Sequence, residues 1–331
     1  MKVLVTGAGS MLMGRVAAHL LERGDEVVCL QRHPASFPGS EHAEQVLADI
    51  RDAERVAVAV EGCDAVIHGA ARVGVTGSWD DVSSVNVGGT THVLDAVRRH
   101  GVGRLVHVST PSVAHTGSSL VGEGAGTAAT GRRGAHYAES KALAEQAVLA
   151  AADGSLAVTA LRPHLVWGPG DTQLVGRIVE RAARGRLALA GTGAALVDTT
   201  YVDNAADALV AALDALHPAA ACQGRAYVVS NGEPRTVLEL MTRICAAAGI
   251  DATPRRIPLR VAMLAGSVAE RLWALRGDTE PPVTRFVAEQ LGTAHWFDIA
   301  ATRTDLGWEP RVGLDEGFAH LAAWYATHPP V

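Results

Sequence analysis

Short runs of Val, Leu and Ile alternate with longer amphipathic stretches through the first half of the chain. The apolar runs contain few polar residues, which is typical of strands buried on both faces of a parallel sheet. The stretches between them have helical periodicity, so the alternation predicts repeated strand–helix–strand units and a doubly wound α/β sheet. Ligands are then expected beyond the carboxyl ends of the strands. The predicted strands are Val3–Val5, Glu26–Leu30, Ala65–His68, Leu105–Val108 and Leu156–Leu161.

The second half of the chain is less regular. Breaks rich in Gly and Pro interrupt it at Gly168–Asp171, Gly191–Gly193 and Pro281–Pro282. Such breaks predict a smaller, mainly C-terminal domain assembled from an insertion and a terminal piece. We expect the larger domain to comprise residues 1–168 and about 199–217, and the smaller, substrate-binding domain to comprise about 169–198 and 218–331.

A glycine-rich segment connects the first predicted strand to the first predicted helix. Its sequence from Thr6 to Gly14 is Thr-Gly-Ala-Gly-Ser-Met-Leu-Met-Gly. In this context backbone N–H groups and the helix N-terminus can face a pyrophosphate, so we predict a Rossmann-type dinucleotide-binding domain. The usual spacing places glycines at positions 7, 10 and 13, and the presence of Met13 calls for a local adjustment in helix–strand packing. The loop residues expected at the cofactor are Gly7, Gly9, Ser10, Met11 and Leu12.

The end of the second strand bears on cofactor choice. It has the sequence Gln31-Arg32-His33, without the acidic residue that would hold the ribose 2′-hydroxyl of NAD(H). Arg32 can pair with a 2′-phosphate instead, so we predict NADP(H); the alternative for Arg32 is a solvated loop cation. Asp49 and Ile50 lie where a further strand, between Glu26–Leu30 and Ala65–His68, should end, and the Asp49 carboxylate could accept a hydrogen bond from the adenine amino group there. The alternative for Asp49 is a helix N-cap or a turn.

Lysine is rare in this chain, because the 29 basic side chains include only Lys2 and Lys141. Lys141 ends the segment Tyr137-Ala-Glu-Ser-Lys141 within a predicted helix, so the phenol and the ammonium share one helix face. An ammonium is a compact point charge, whereas a guanidinium is a wide fork. Lysine at this position therefore predicts a site that needs the point charge beside the phenol, and the alternative is a surface helix with an accidental pair.

Further segments recur in order at the ends of the predicted strands and in the predicted helix after the strand Ala65–His68. Together with the glycine loop and the Tyr137/Lys141 pair they resemble the extended short-chain dehydrogenase/reductase family over nearly the whole chain. The segment Arg162–Asp171 is similar to the 3β-hydroxysteroid dehydrogenase-like branch. Together with Pro111–His115 it is similar, within that branch, to bacterial 2-alkyl-3-oxoalkanoate reductases of long-chain olefin synthesis. The segments are His68–Ala71, Asn86–Thr90, Val108–Val113, Leu161–Asp171, Tyr201–Ala206 and Leu306–Pro310.

The resemblance implies catalytic roles for four residues. Tyr137 would be the general acid in ketone reduction and the base in the reverse direction. Lys141 would favour the phenolate, bring its pKa toward neutrality and hydrogen-bond the nicotinamide ribose. Thr110 would donate a hydrogen bond to the substrate oxygen, with Ser109 and Ser112 as competing assignments. The last of the four, Asn86, would support the site from behind or serve as a buried structural amide.

The resemblance also implies the surroundings of the cofactor and the substrate. Close backbone approach to the cofactor is expected at Gly69, Ala70 and Ala71, and Pro163 and Val166 would shape the nicotinamide pocket. His115 and His164 follow predicted strands and could reach the substrate, and His164 or Arg177 could bind a substrate carboxylate. The alternative for each of these last residues is packing or a solvent-exposed position.

The implied activity is NADP(H)-dependent interconversion of a ketone and a secondary alcohol on a small hydrophobic substrate. The specific expectation is reduction of a 2-alkyl-3-oxoalkanoic acid to the 2-alkyl-3-hydroxyalkanoic acid. Oxidation of a 3β-hydroxysteroid or other sterol, epimerisation or dehydration of a nucleotide sugar, and a non-enzymatic dinucleotide sensor are the alternatives. The first predicts turnover with an oxidised cofactor, and the second calls for an acidic residue near Arg32.

Composition and net charge limit the functions and the cellular compartment that we expect for the chain. The net charge of −6 leaves no basic footprint for nucleic acid, and the 4 scattered cysteines predict neither a metal site nor a disulfide framework and fit a reducing, cytoplasmic compartment. The amphipathic segment Leu259–Leu275 is expected to cover the core or a pocket, or to touch a membrane surface peripherally. A homodimer through Val85–His100 and Tyr137–Ala151 is expected from the resemblance, and association with pathway enzymes stays open.

Overall fold

The computed structural model describes residues 1–74, 77–114, 119–131, 135–273 and 292–330, with side chains throughout except at 268 and 270–273. Its centre is a sheet of seven parallel strands in the order β12-β7-β5-β4-β1-β2-β3. This arrangement confirms the prediction of a doubly wound α/β fold. These seven strands are β1 Lys2–Thr6, β2 Glu26–Gln31, β3 Glu44–Leu47, β4 Ala65–His68, β5 Arg104–Val108, β7 Ala157–Pro163 and β12 Arg225–Val229.

Helices cover both faces of this sheet. The helices are α1 Met11–Glu22, α2 Ala53–Val60, α3 Trp79–Ser83, α4 Gly89–His100, α5 His136–Ala150, α6 Val175–Ala183, α7 Val202–Ala215, α8 Val237–Ala247, α9 Leu259–Trp273, α10 Ala300–Leu306 and α11 Leu314–Thr327. Val3 and Val5 pack into the apolar cluster with α1 and α7, whereas Leu4 faces the cluster with α2 and α4. Strand β1 is therefore continuously apolar because both of its faces are buried.

The order of the strands determines where a ligand can bind. The chain crosses from β3 at one edge back to β4, which pairs with β1 on the side opposite to β2. In open α/β sheets the crevice at such a reversal, beyond the strand carboxyl ends, is the ligand site. The loops after β1 and β4 meet there, and the end of β5 lies next to them.

A second set of short strands lies outside the large sheet. Strands β6, β10, β13 and β15 form a four-stranded sheet, and two further pairs form separate small sheets, β8 with β11 and β9 with β14. Trp167 anchors a separate apolar cluster there and stacks on Phe318 with ring centroids 4.7 Å apart. The strands are β6 Leu120–Glu123, β8 Val166–Trp167, β9 Ala188–Ala190, β10 Leu196–Val197, β11 Thr200–Tyr201, β13 Arg235–Thr236, β14 Arg255–Ile257 and β15 His295–Phe297.

Strand β12 bears on the predicted division of the chain. It lies within 218–331, the range assigned to the smaller domain, yet it forms the edge of the seven-stranded sheet and pairs with β7. Helix α10 packs against β12 and α7. The predicted division did not anticipate this crossing back, and the domain boundaries stay a prediction.

Three features constrain the chemistry of the described part of the chain. The cysteines Cys29, Cys63, Cys222 and Cys245 are all buried and free. Among the described residues no cluster of three or more His, Cys, Asp or Glu side chains is placed to hold a metal ion. Within the same residues, every helix is too short or too polar to cross a membrane.

Candidate active site

One face of helix α5 carries polar side chains at intervals of four residues: Tyr137, Lys141 and Glu145. That spacing aligns them along the helix. The helix packs against β7, and alanines on the packed side, including Ala142 and Ala144, allow a close approach. Lys141 and Glu145 are buried as a result, while the Tyr137 side chain at the start of the helix is half-buried.

The ammonium of Lys141 is held at the carboxyl end of β5. Its Nζ donates to the carbonyl oxygen of Val108 at 2.5 Å and lies 3.4 Å from Nε2 of His107. Burial lowers the pKa of Lys141 to about 8, because desolvation outweighs the attraction of Glu145. An ammonium has three N–H donors, so one is left for the cleft that Lys141 lines.

The side chain of Thr110 is the polar neighbour of the Tyr137 phenol and lowers its pKa. Thr110 follows β5 and caps the turn Pro111–Val113. Burial raises the pKa of Tyr137 to about 12, because the effect of Thr110 offsets only part of that rise. We expected Lys141 to bring this pKa toward neutrality, and the structure gives the opposite shift. Desolvation of the phenol dominates, and the ammonium is bound to the Val108 carbonyl group.

Three hydroxyl groups compete at the end of β5, and the structure distinguishes their positions. Thr110 reaches Tyr137. The Ser109 hydroxyl is buried, lines the cleft and has no hydrogen-bond partner among the described residues. Ser112 Oγ lies 3.1 Å from Thr110 Oγ1. Thr110 is therefore the hydroxyl that the fold brings to the phenol.

Asn86 lies in the π-turn Ser84–Gly88 between α3 and α4. Its Oδ1 accepts from the Arg72 backbone N–H at 2.7 Å, and its Nδ2 donates to the Arg72 carbonyl at 3.2 Å and to Ser140 Oγ at 2.9 Å. Ser140 Oγ in turn donates to the Tyr137 carbonyl oxygen at 2.9 Å. The amide of Asn86 is thus fully engaged in joining the loop after β4 to helix α5, which is the structural alternative considered for it.

A buried hydrogen-bond chain connects Asn86 to the first strand. Thr6 Oγ1 accepts from the backbone N–H groups of Gly69 and Ala70, so its hydroxyl hydrogen is directed to His68 Nδ1 at 2.7 Å. His68 must then carry its proton on Nε2, which donates to Thr90 Oγ1 at 3.0 Å. Burial lowers the pKa of His68 to about 3, so the ring is neutral.

The chain continues because the Thr90 hydroxyl donates to the Asn86 carbonyl oxygen at 2.6 Å. Strand β1, which leads into the glycine loop, is thereby coupled to the residue that holds α5. The sequence placed His68 only in the segment His68–Ala71 at the end of a predicted strand. A buried histidine between two threonines from different segments is recognisable once the strand register is known, since Thr6 pairs with His68.

The glycine loop makes a close approach to the loop after β4. Gly7 has φ of 81°, and a Cβ there would lie 3.0 Å from the Ala70 backbone. Ser10 caps α1 and accepts a hydrogen bond from the Met13 N–H. The Met13 side chain is buried, and it fills the space that any side chain at Gly69 would need. This complementarity is the local adjustment that Met13 requires.

The cleft beyond the strand ends has a volume of about 820 Å³. Met11, Pro163 and Val166 are not among its described lining residues. Met11 and Val166 pack against the Trp167 cluster, and Pro163 pairs with Val229. Arg51, Arg72 and Ser109 line it in addition to the expected residues. The expected residues that do line it are Gly7, Gly9, Ser10, Leu12, Arg32, Asp49, Ile50, Gly69, Ala70, Ala71, Tyr137 and Lys141.

Two arginines and one carboxylate lie at the end of the cleft next to β2 and β3. Asp49 accepts from Arg51 through Nε at 2.9 Å and Nη2 at 2.7 Å, and these hydrogen bonds lower the Asp49 pKa to about 2. Asp49 also accepts from the Arg51 backbone N–H, so it is a turn residue, while Asp52 caps α2. Arg32 is exposed at the same end.

The residues expected at the substrate are not gathered in one place. His164 is buried, its Nδ1 lies 2.5 Å from the Asp198 carbonyl oxygen, and its ring packs edge-on against Phe297. Arg177 is exposed on α6. His115 lies outside the described residues. Of this group, Thr110 is the residue that the structure brings to Tyr137.

The cleft fits a nicotinamide dinucleotide. The close approach at Gly7 leaves the N-terminus of α1 open to a pyrophosphate, as such sites require. Arg32 and Asp49 lie at the end expected for the adenosine, and Tyr137 and Lys141 line the other end. The chain thus has a glycine loop open to a phosphate, a phenol and an ammonium in one crevice.

The chain matches the model of the 3-beta hydroxysteroid dehydrogenase/isomerase family over residues 4–260. It is 47% identical to a 2-alkyl-3-oxoalkanoate reductase of Stenotrophomonas maltophilia, over 98% of this chain and 99% of that protein. It is 30% identical to a 3-beta-hydroxysteroid dehydrogenase of Mycolicibacterium neoaurum, over 98% of this chain and 91% of that protein.

Solved structures support the fold. A UDP-glucuronic acid 4-epimerase from Bacillus cereus, in complex with NAD, superimposes with a TM-score of 0.76 at 20% identity and covers 99% of both chains. At that identity the similarity shows the fold alone. The family match and the relatives over nearly the full length go further: this chain is an oxidoreductase that belongs to the 3-beta hydroxysteroid dehydrogenase/isomerase family.

Proposed function

We propose that this enzyme reduces the 3-oxo group of a 2-alkyl-3-oxoalkanoate to the 3-hydroxy acid with NADPH. The observation that carries the reaction type is that Tyr137 and Lys141 line the cleft one helical turn apart, with the Thr110 side chain next to the phenol. The substrate class is supported by the reductase of Stenotrophomonas maltophilia, which is 47% identical to this chain.

The side chains of Thr110, Tyr137 and Lys141 have different roles in the proposed reaction. When bound, the cofactor supplies the hydride that is added to the carbonyl carbon. The Thr110 and Tyr137 hydroxyls hold the carbonyl oxygen, and the Tyr137 proton passes to that oxygen as its negative charge develops. A phenol whose pKa is raised to about 12 stays protonated at neutral pH, which suits a proton donor. The remaining N–H of Lys141 is available to a ribose hydroxyl.

NADPH is proposed over NADH because of the charges at the adenosine end of the cleft. Arg32 is exposed there, and Arg51 lies next to it on the carboxylate of Asp49. Gln31, the last residue of β2, is bound to Gln45 through its amide. Two guanidinium groups favour a 2′-phosphate, since charge-assisted hydrogen bonds to phosphate are the strong ones.

Steroid oxidation is the second candidate, because a 3-beta-hydroxysteroid dehydrogenase matches nearly the whole chain at 30% identity. The two candidates require different oxidation states of the cofactor: NADPH or NADH for ketone reduction, and NAD(P)⁺ for steroid oxidation. NADPH or NADH consumption is measured with a panel of 2-alkyl-3-oxo acids, 3-oxosteroids and sugar nucleotides, and the reverse reaction with 3β-hydroxysteroids and NAD(P)⁺.

The proposal predicts the highest kcat/KM for a 2-alkyl-3-oxo acid, with NADPH preferred to NADH. Turnover of the hydroxysteroid alone would move the assignment to the second candidate. A kcat/KM ratio of NADPH to NADH below one would reject the cofactor assignment. Cofactor binding without turnover of any compound would favour a dinucleotide sensor.

The expected assembly also stays a proposal. Helices α4 and α5 contact each other in one subunit and are the pair expected at a homodimer interface. Analytical ultracentrifugation at several protein concentrations distinguishes a dimer from a monomer. Contact with pathway enzymes or with a membrane surface is a separate question that the same measurement addresses when vesicles or partner proteins are added.

A further inference from the structure

Three polar residues lie side by side on neighbouring strands at the centre of the seven-stranded sheet, directly beneath the cleft. Thr6 of β1 pairs in register with His68 of β4, and His68 pairs with His107 of β5. The rings of His68 and His107 have centroids 5.4 Å apart. His68 is explained by its bonds to Thr6 and Thr90, but His107 takes no part in that chain. The other neighbours of His107 must therefore account for an imidazole at this position.

Among the described residues, the side chain of His107 makes its polar contact with the candidate catalytic lysine. Nε2 of His107 lies 3.4 Å from Nζ of Lys141. An ammonium can only donate, so Nε2 must be unprotonated and the ring proton must lie on Nδ1. Burial and the nearby Lys141 charge keep the pKa of His107 well below its usual value, which leaves the ring neutral and able to accept.

Packing alone does not account for an imidazole at this position. His107 is 1% exposed, and its Nδ1 has no hydrogen-bond partner among the described residues. A buried polar group without a partner destabilises the fold, and an aliphatic side chain in β5 would avoid that loss. The feature that an aliphatic residue could not supply is the acceptor at Nε2.

Among the described residues, the other polar groups around Lys141 are either bound elsewhere or neutral. Glu145 is on the same helix, but its carboxylate is bound by Arg162. Burial raises the pKa of Tyr137 to about 12, so the phenol is neutral, and the neutral ring of His68 lies beyond His107. Among the described residues, the groups that hydrogen-bond the ammonium are therefore the Val108 carbonyl oxygen and His107 Nε2.

We propose that His107 is a positioning residue for Lys141: its unprotonated Nε2 and the Val108 carbonyl oxygen engage two N–H donors of the ammonium and direct the third into the cleft. The inference rests on the proposed function only in that Lys141 acts on the bound cofactor. His107 touches neither cofactor nor substrate in this scheme and acts through Lys141.

A matched pair of substitutions isolates the acceptor. His107→Gln places an amide oxygen near the former Nε2, whereas His107→Asn places its amide near the former Nδ1, too short to reach Lys141. Both variants lose the ring and keep a polar amide, so their packing losses are alike. The pH dependence of the NADPH dissociation constant is measured for both, together with kcat and KM against pH.

The direction of the expected pKa shift depends on which protonation state of Lys141 the acceptor stabilises. Removing an acceptor disfavours the ammonium, so the alkaline pKa of NADPH binding, near 8 in the wild type, moves down by about one unit in His107→Asn. NADPH affinity falls about fivefold at pH 8 and approaches a tenfold loss at pH 9, and His107→Gln restores most of it. In a Lys141→Met background, His107→Asn causes little further loss.

Equal pH profiles for wild type, Asn and Gln variants would overturn the proposal. So would equal losses in the Asn and Gln variants that persist in the Lys141→Met background, since that pattern marks a purely structural role. Because the readout is cofactor binding, it is independent of which substrate the enzyme reduces. If the Asn variant does not fold, ¹⁵N NMR of the wild type decides: a protonated Nε2 of His107 contradicts the proposal, and an unprotonated Nε2 supports it.

Discussion

Arg162 and Glu145 form a buried ion pair between strand β7 and helix α5. Nη2 of Arg162 lies 2.5 Å from Oε1 of Glu145 and Nε lies 2.8 Å from Oε2, with each side chain 1% exposed. Arg162 also donates to the carbonyl oxygens of Ala125 and Gly126, so it ties down the segment before the helix. Glu145 is one turn beyond Lys141, and the pair therefore fixes the helix that carries the candidate proton donor.

Removing one partner of this pair is expected to destabilise the protein strongly. Glu145→Leu leaves the buried guanidinium without its counter-ion, which costs about 3–5 kcal/mol in the free energy of unfolding. The double variant Glu145→Leu/Arg162→Met removes both charges and is expected to be more stable than the single variant. Urea denaturation at pH 7 measures both. A single variant within about 1 kcal/mol of the wild type would contradict the structural role of the pair.

Leu165 provides a test of backbone strain in the connection between strands β7 and β8. Its φ of 43° lies in the left-handed region, between His164 and strand β8. Leu165→Gly is expected to be more stable than Leu165→Ala by about 1 kcal/mol, because both lose the side chain and only glycine adopts this conformation freely. At the exposed helical position Val58 the order is expected to reverse, with Ala above Gly by about 1 kcal/mol. Thermal and chemical denaturation of the four variants checks both orders of stability. Backbone strain at Leu165 is contradicted if Leu165→Gly unfolds more easily than Leu165→Ala.

Arg32 is expected to set the cofactor preference. Arg32→Ala should raise KM for NADPH by about 10- to 100-fold, the equivalent of losing charge-assisted hydrogen bonds to a phosphate, and should change KM for NADH little. Arg55→Ala is the control, since Arg55 is an exposed cation on α2 that does not line the cleft. Steady-state kinetics with both cofactors decides the matter. Equal changes for NADPH and NADH would show that Arg32 does not recognise the 2′-phosphate.

The central sheet was predictable from the sequence because its strands are apolar on both faces. The predicted strand Leu105–Val108 differs from the observed Arg104–Val108 by one residue. Each strand end also carries its polar residues within a short distance in sequence, so Thr110, Gly69 and Gly7 could be assigned to one crevice. The i, i+4 spacing of Tyr137 and Lys141 needs only a helix, which the sequence predicted and which the structure contains as α5.

The smaller sheet and the buried polar contacts were not predictable in the same way. Strands β10 and β13 are two residues long, too short for any periodicity, and their partners are distant in sequence. The contact of His107 with Lys141 depends on the depth to which α5 packs on the sheet, which no local pattern encodes. The π-turn at Asn86 interrupts a helical pattern by a single extra residue, and its hydrogen bonds to Arg72 and Ser140 come from tertiary packing.

The Tyr137→Phe variant tests proton donation by the phenol most directly. It removes one oxygen and leaves the ring, Lys141 and the cofactor loop in place. Single-turnover reduction of a 2-alkyl-3-oxo acid by bound NADPH is expected to slow by about 10² to 10⁴, the contribution of one positioned proton donor, with the NADPH dissociation constant nearly unchanged. A variant that reduces the substrate at the wild-type rate would contradict the assignment of Tyr137 as the acid.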